Sequence, residues 1–205
     1  MSERTIVTVS AGLGQPSSTR LLADRLSDAA VAELQARDVS VTVQTVELRD
    51  IAHEIVNNML TGFPTGELTG VLDKVTGADG LILVTPLFTT TYSGLFKSFV
   101  DIIDKEALTD MPVLLGATGG TPRHSLALEY SMRPLLTYLR ADVATTSVFA
   151  ATDDWAGEGD RVNPLPSRIR RAGRELAEMV AARENAGPAD LYDGVPSFDQ
   201  MLGNV

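Results

Sequence analysis

The strongest constraint on the fold is a regular alternation of short apolar runs with longer amphipathic ones. Thr5-Ile6-Val7-Thr8-Val9 is rich in β-branched residues and gives way to Ser10-Ala11-Gly12. Such a run reads as a buried strand. Similar runs occupy residues 39–46, 80–85, 112–118 and 142–149. The run Gly80-Leu81-Ile82-Leu83-Val84-Thr85 is almost wholly apolar, as expected of a strand covered on both faces. Helical periodicity marks 18–36, 51–60, 67–76, 94–104 and 124–139; in the first of these Leu22, Leu26, Ala29, Ala30 and Leu34 share one face. A last amphipathic helix spans 164–185, and the acidic, Gly-containing stretch 153–163 before it reads as a loop.

Five strands alternating with helices imply an α/β fold: a doubly wound, five-stranded parallel sheet with helices on both faces. Right-handed crossovers leave few topologies, and the flavodoxin-like strand order 2-1-3-4-5, plus a C-terminal helix, is the expected one. Residues 1–186 are expected to form this domain. Residues 187–205 read as a C-terminal tail, too short to be a domain, that is mobile or docks on a partner subunit.

Composition removes several functions. The 205-residue chain has no cysteine and only two histidines, His53 and His124, so thiolate chemistry, disulfides and Cys- or His-rich metal sites are not expected. A formal net charge of −10 disfavours nucleic acid and anionic membrane surfaces as partners. No apolar run approaches the ~20 residues of a membrane span. Met1-Ser2-Glu3-Arg4 leads straight into a strand, so a cytoplasmic protein is expected.

In an open parallel sheet, ligands bind beyond the carboxyl ends of the strands, near the switch in strand order. The loops after strands 1, 3 and 4 should meet there. The first is Ser10-Ala11-Gly12-Leu13-Gly14-Gln15-Pro16-Ser17-Ser18-Thr19-Arg20. It places hydroxyls and free N–H groups at a helix N-terminus, which carries about +0.5 charge and suits a phosphate. The simpler alternative is that Ser17 or Ser18 only caps the helix. Gly12-x-Gly14-x-x-Ser17 is one residue away from a dinucleotide fingerprint, with Glu47 in the place of its usual acidic residue, but Pro16 and the Ser-Ser-Thr run suit a phosphate monoester better.

The second loop, Thr85-Pro86-Leu87-Phe88-Thr89-Thr90-Thr91-Tyr92-Ser93-Gly94, can lay backbone amides and an aromatic along a planar heterocycle. Alternatively, Phe88 and Tyr92 pack beneath it and Ser93 caps the next helix. The third, Ala117-Thr118-Gly119-Gly120-Thr121-Pro122-Arg123-His124-Ser125, lets a ring edge approach the backbone. Acid–base work by His124 is open in principle, a hydrogen-bonding loop residue being the simpler reading.

With these motifs, and with Tyr92-Ser93-Gly94-Leu95-Phe96-Lys97 and Arg133-Pro134-Leu135-Leu136, the chain resembles the NAD(P)H-dependent FMN reductases of the flavodoxin-like superfamily. It looks most similar to those that supply reduced flavin to luciferase-like or sulfonate monooxygenases. The second loop departs from the common family form, with Phe88 where Tyr is frequent and the run Thr89-Thr90-Thr91. The resemblance implies an FMN phosphate on Ser10, Ser17, Ser18 and Thr19, with Arg20 nearby. It implies an isoalloxazine and ribityl chain along Pro86, Leu87, Phe88 and Thr89, and a pyrimidine edge against Thr118, Gly119 and Gly120. It further implies NADPH or NADH as hydride donor, no catalytic side chain, no metal, a homodimer or homotetramer, and a flavin-dependent monooxygenase as partner. An azo- or quinone reductase and a non-enzymatic FMN carrier are the alternatives on the same scaffold. Pro134 frees the carbonyl of Tyr130, so a kink or π-bulge is expected there, with Tyr130 either packed internally or at a subunit contact. Arg168, Arg170, Arg171 and Arg174 read as a solvated face, with recognition of an NADP 2′-phosphate as the alternative.

Overall fold

The structure is a computed structural model and describes residues 3–183. In chain order the elements are β1 (Arg4–Ser10), α1 (Ser18–Gln35), β2 (Val41–Glu47), α2 (Ala52–Thr61), α3 (Glu67–Thr76), β3 (Gly80–Phe88) and β4 (Thr91–Tyr92). Then come α4 (Gly94–Asp101), β5 (Pro112–Gly119), α5 (Arg133–Tyr138), β6 (Asp142–Val143), β7 (Val148–Ala151), α6 (Thr152–Trp155) and α7 (Leu165–Ala182). The tail expected over 187–205 lies outside the described residues.

β1 pairs in parallel with β2 and β3, and β3 with β5. Because side chains alternate across a strand, one sheet feeds two cores. Val7, Val9, Leu81 and Leu83 face one layer with Phe96, Phe99 and Leu136. Ile6, Ile82 and Val84 face the other, covered by α1 and α7 through Leu22, Leu26, Ile169 and Leu176. The two helices cross closely at Gly173, where a Cβ would stand 2.7 Å from that of Ala29.

The expected five-strand order 2-1-3-4-5 is corrected by the structure. Among the described residues there are seven strands, with the main order β2-β1-β3-β5-β6, β4 on β3 and β7 on β5. Two local events cause the difference. β3 runs past Thr85 to Phe88 and folds back through Thr89-Thr90 onto β4 as an antiparallel hairpin. The run 142–149 is broken in the middle, leaving β6 and β7 each parallel to β5. Side chains from elsewhere claim the intervening polar groups. Arg133 donates to the carbonyls of Ala144 at 2.9 Å and Thr145 at 3.1 Å and to the Ser147 hydroxyl at 2.9 Å. Glu175 accepts from the backbone N–H and the hydroxyl of Thr146, both at 2.7 Å.

The helix expected over 124–139 is likewise interrupted. A 3₁₀ turn at Pro122–His124 is followed by a π turn at Leu128–Met132, and α5 starts only at Arg133. The π turn falls where Pro134 removes a donor from the ladder. Tyr130 is 77% exposed, so it is not packed internally among the described residues. The stretch expected as a loop from 153 opens instead with the single turn α6, where Asp154 accepts from the Ala151 N–H at 2.8 Å.

Candidate active site

Three loop regions and α6 surround one cavity of about 480 Å³ at the carboxyl edge of the sheet. The first loop supplies Leu13, Gly14, Pro16, Ser17, Ser18 and Thr19. The second supplies Pro86, Leu87 and Phe88, and the third Thr118, Gly119 and Gly120. Among the described residues none on the lining is charged, although the chain is strongly acidic.

The first loop folds back on itself. A Cβ on Gly12 would lie 2.1 Å from the Ser17 hydroxyl oxygen, so only glycine permits the approach. Ser17 is the N-cap of α1, its hydroxyl accepting from the Arg20 N–H at 3.2 Å. The capping reading is therefore correct for Ser17, which lines the cavity as well. Ser18 and Thr19 begin the helix, where backbone N–H groups have no intrahelical acceptor. Ser10, the last residue of β1, is fully buried, and its hydroxyl has no hydrogen-bond partner among the described residues. An unpaired buried hydroxyl at the base of a loop with free N–H groups fits an anionic ligand in the loop.

Arg20 does not line the cavity. It binds Asp24 and Glu47, each at 2.7 Å. The hydrogen bond to Asp24, followed by the pairing with Glu47, raises its pKa against the effect of burial. Glu47 is shared with Arg49, at 2.8 Å, and Arg49 also donates to the Gly14 carbonyl at 2.8 Å. Glu47 thus anchors the loop through two arginines, and the role of an acidic residue free for a ribose is already taken.

The second loop is tied at its base by Thr85, whose buried hydroxyl accepts from the Ser93 N–H at 3.1 Å; the Ser93 hydroxyl in turn caps α4 by accepting from Phe96 N–H at 3.1 Å. The two aromatics separate. Tyr92 packs against Phe96, ring centroids 5.8 Å apart, while Phe88 lines the cavity and remains 48% exposed. Thr89 and Thr90 form the hairpin turn with φ of 49° and 76°, and Thr89 is not on the lining.

In the third loop the glycines differ. A Cβ on Gly119 would meet Phe149 at 2.9 Å, whereas one on Gly120 would meet nothing within 4 Å. Gly119 serves packing and Gly120 leaves open space at the cavity. Thr118 is buried, and its hydroxyl lies 2.8 Å from that of Thr19, joining the first and third loops. His124 is exposed and not on the lining. Of the arginines on α7, Arg168 turns inward to Asp154 and the Phe149 carbonyl, and Arg171 pairs with Glu175 at 3.4 Å.

Sequence reasoning missed Thr152 and Trp155 on the lining, and Arg49 behind it. The available signal was the chain's single tryptophan just after the last strand.

The arrangement suits a ligand with a phosphate at one end and a flat, largely apolar body. The family described as NADPH-dependent FMN reductase matches residues 4–156. The chain is 36% identical over 178 residues to the FMN reductase (NADPH) of Pseudomonas aeruginosa, covering 87% of this chain and 93% of that protein. It is 34% identical over 174 residues to the NADH-dependent FMN reductase SfnF of Pseudomonas fluorescens, covering 85% and 90%. Among solved structures, an oxidoreductase from Corynebacterium diphtheriae superimposes with a TM-score of 0.84 at 43% identity, covering 88% of this chain and 98% of that one. The extent of the family match, which takes in all three loops, and the near full-length similarity to these relatives show that the chain belongs to the NADPH-dependent FMN reductase family.

Proposed function

We propose that this chain is an NAD(P)H-dependent flavin reductase that passes a hydride from a nicotinamide nucleotide to FMN and supplies reduced flavin to a monooxygenase. The observation that carries the reading is the uncharged cavity with the N-terminus of α1 and its hydroxyls on one wall and Pro86-Leu87-Phe88 on another. Ser10, Ser17, Ser18 and Thr19 hold the phosphate. Pro86, Leu87 and Phe88 lie along the ring and ribityl chain, with Thr89 beyond them in the hairpin turn, and Thr118, Gly119 and Gly120 face the pyrimidine edge. Arg20 acts from outside the cavity, through Glu47. When bound, FMN supplies the hydride-accepting ring. The chain's contribution is to orient it beside the nicotinamide and to aim backbone N–H groups at the edge where charge accumulates. Among the described residues no titratable side chain lines the cavity, and hydride transfer needs none.

The names of the two relatives differ in NADPH and NADH, so either nucleotide is assigned as donor. The exposed Tyr130 and Tyr138 favour a homodimer or homotetramer. A cytoplasmic location agrees with the finding that, among the described residues, no helix is long and apolar enough to cross a membrane. The test is oxidation of NADPH and NADH by the purified protein with and without FMN. Saturable stimulation by FMN is expected; equal rates with and without FMN overturn the reading.

A further inference from the structure

The loop leaving β1 is gripped from the side away from the cavity. The residue that grips it is Arg49, on the 3₁₀ turn Leu48–Ile51 that follows β2. One guanidinium nitrogen of Arg49 donates to the Gly14 carbonyl at 2.8 Å. The Gln15 side-chain amide, with its oxygen turned to Arg49, accepts from the same guanidinium at 3.1 and 2.6 Å. Glu47 holds Arg49 at 2.8 Å and Arg20 at 2.7 Å, so the grip is braced against both β2 and α1.

Charge is not what Arg49 brings to the loop. Glu47 at 2.8 Å and Asp50 at 3.4 Å offset it, and Arg49 does not line the cavity. What it fixes is a direction. Gly14 lines the cavity, and the Gly14–Gln15 peptide is trans. The carbonyl and the N–H of a trans peptide point opposite ways in one rigid plane. With the carbonyl drawn to the β2 side, the Gln15 N–H is turned to the other side of the loop. β3 and β5, whose loops complete the cavity, lie on that other side of β1. The Gln15 N–H has no acceptor among the described residues. Were the peptide reversed, a carbonyl oxygen would face the cavity and repel an anion there.

We propose that Arg49 is a positioning residue for the phosphoryl group of FMN. By holding the Gly14 carbonyl outward it presents the Gln15 N–H as a donor beside those of Ser18 and Thr19, and so sets the preference for FMN over unphosphorylated riboflavin. This inference rests on the flavin-binding reading above.

Calorimetric titration of the full chain with FMN and with riboflavin tests it. Arg49→Met keeps most of the side chain's length and removes its donors. It is expected to weaken FMN roughly tenfold, the worth of one hydrogen bond to a charged group, and to change riboflavin less than about twofold. Arg49→Lys keeps a cation beside Glu47, so it folds even if Arg49→Met does not. One ammonium cannot reproduce the planar fork that holds Glu47 and Gly14 together, so an intermediate FMN loss of about threefold is expected, again with riboflavin unchanged. A general loss of structure would weaken both flavins alike, which separates it from positioning. In either variant, unchanged FMN affinity or equal losses for FMN and riboflavin overturns the proposal while leaving the flavin reading intact. A wild-type chain that binds neither flavin overturns that reading and this one with it.

Discussion

The hydroxyls of Thr19, in the first turn of α1, and Thr118, near the end of β5, lie 2.8 Å apart and are both buried. They stand 99 positions apart in the chain, and their contact sets the phosphate loop against the glycine loop. The spacing between the two ligand-binding ends thus rests on a side-chain hydrogen bond as well as on the sheet.

Thr19→Val leaves the Thr118 hydroxyl buried without its partner and is expected to cost about 1–3 kcal/mol. The double variant Thr19→Val, Thr118→Val removes both polar groups, so its loss should be smaller than the sum of the single losses by about 1 kcal/mol. Urea unfolding of the four proteins measures this coupling; additive losses would mean the pair is not a working contact.

Gly12→Ala drives a methyl group into the Ser17 hydroxyl, whose oxygen is 2.1 Å from that position. The cap is displaced, at about 1 kcal/mol of stability, and the loop opens. FMN affinity is expected to fall at least tenfold, measured by flavin titration. An unchanged affinity would show that the loop's closed shape is not what holds the ligand.

Thr90 sits at φ 76°, where a β-branched residue is strained by about 1–2 kcal/mol. Thr90→Gly relieves this but loses more backbone entropy on folding, so a net gain of about 0.5–1 kcal/mol is expected. Thermal unfolding gives the answer, and a lower melting temperature contradicts the strain.

The Glu175 carboxyl is subject to desolvation, which raises its pKa, but the Thr146 hydroxyl and N–H and Arg171 together outweigh this, and the net shift is downward from 4.5. A depressed carboxylate contributes stability above its unfolded value and loses it as pH falls through the lowered one. Stability of the wild type over Glu175→Gln should therefore be full at pH 6 and shrink steadily below about pH 4.5. Chemical denaturation across that range checks it; a gap that stays constant with pH contradicts the assignment.

Much of this was legible because it depends on local pattern. Thr5 to Val9 and Gly80 to Thr85 carry strand character in their own composition, and Pro134 marks its π turn by the donor it lacks. What was not legible depends on distant partners. The break between β6 and β7 is made by Arg133 and Glu175, on other elements. The hairpin turn at Thr89-Thr90 has neither the glycine nor the asparagine that normally announces positive φ. Arg20 beside a phosphate loop looks like a ligand; only the fold brings Glu47 within 2.7 Å to claim it. Trp155 became a wall residue because β7 extends to Ala151 and delivers α6 to the cavity rim.

The central claim, that the loop leaving β1 grips the phosphate of FMN, is tested most directly by a crystal structure of the protein with FMN. The account expects the phosphate to accept hydrogen bonds from the N–H groups of Ser18 and Thr19, with the ring along Pro86, Leu87 and Phe88. Density for FMN elsewhere, or a phosphate out of reach of both N–H groups, would contradict it.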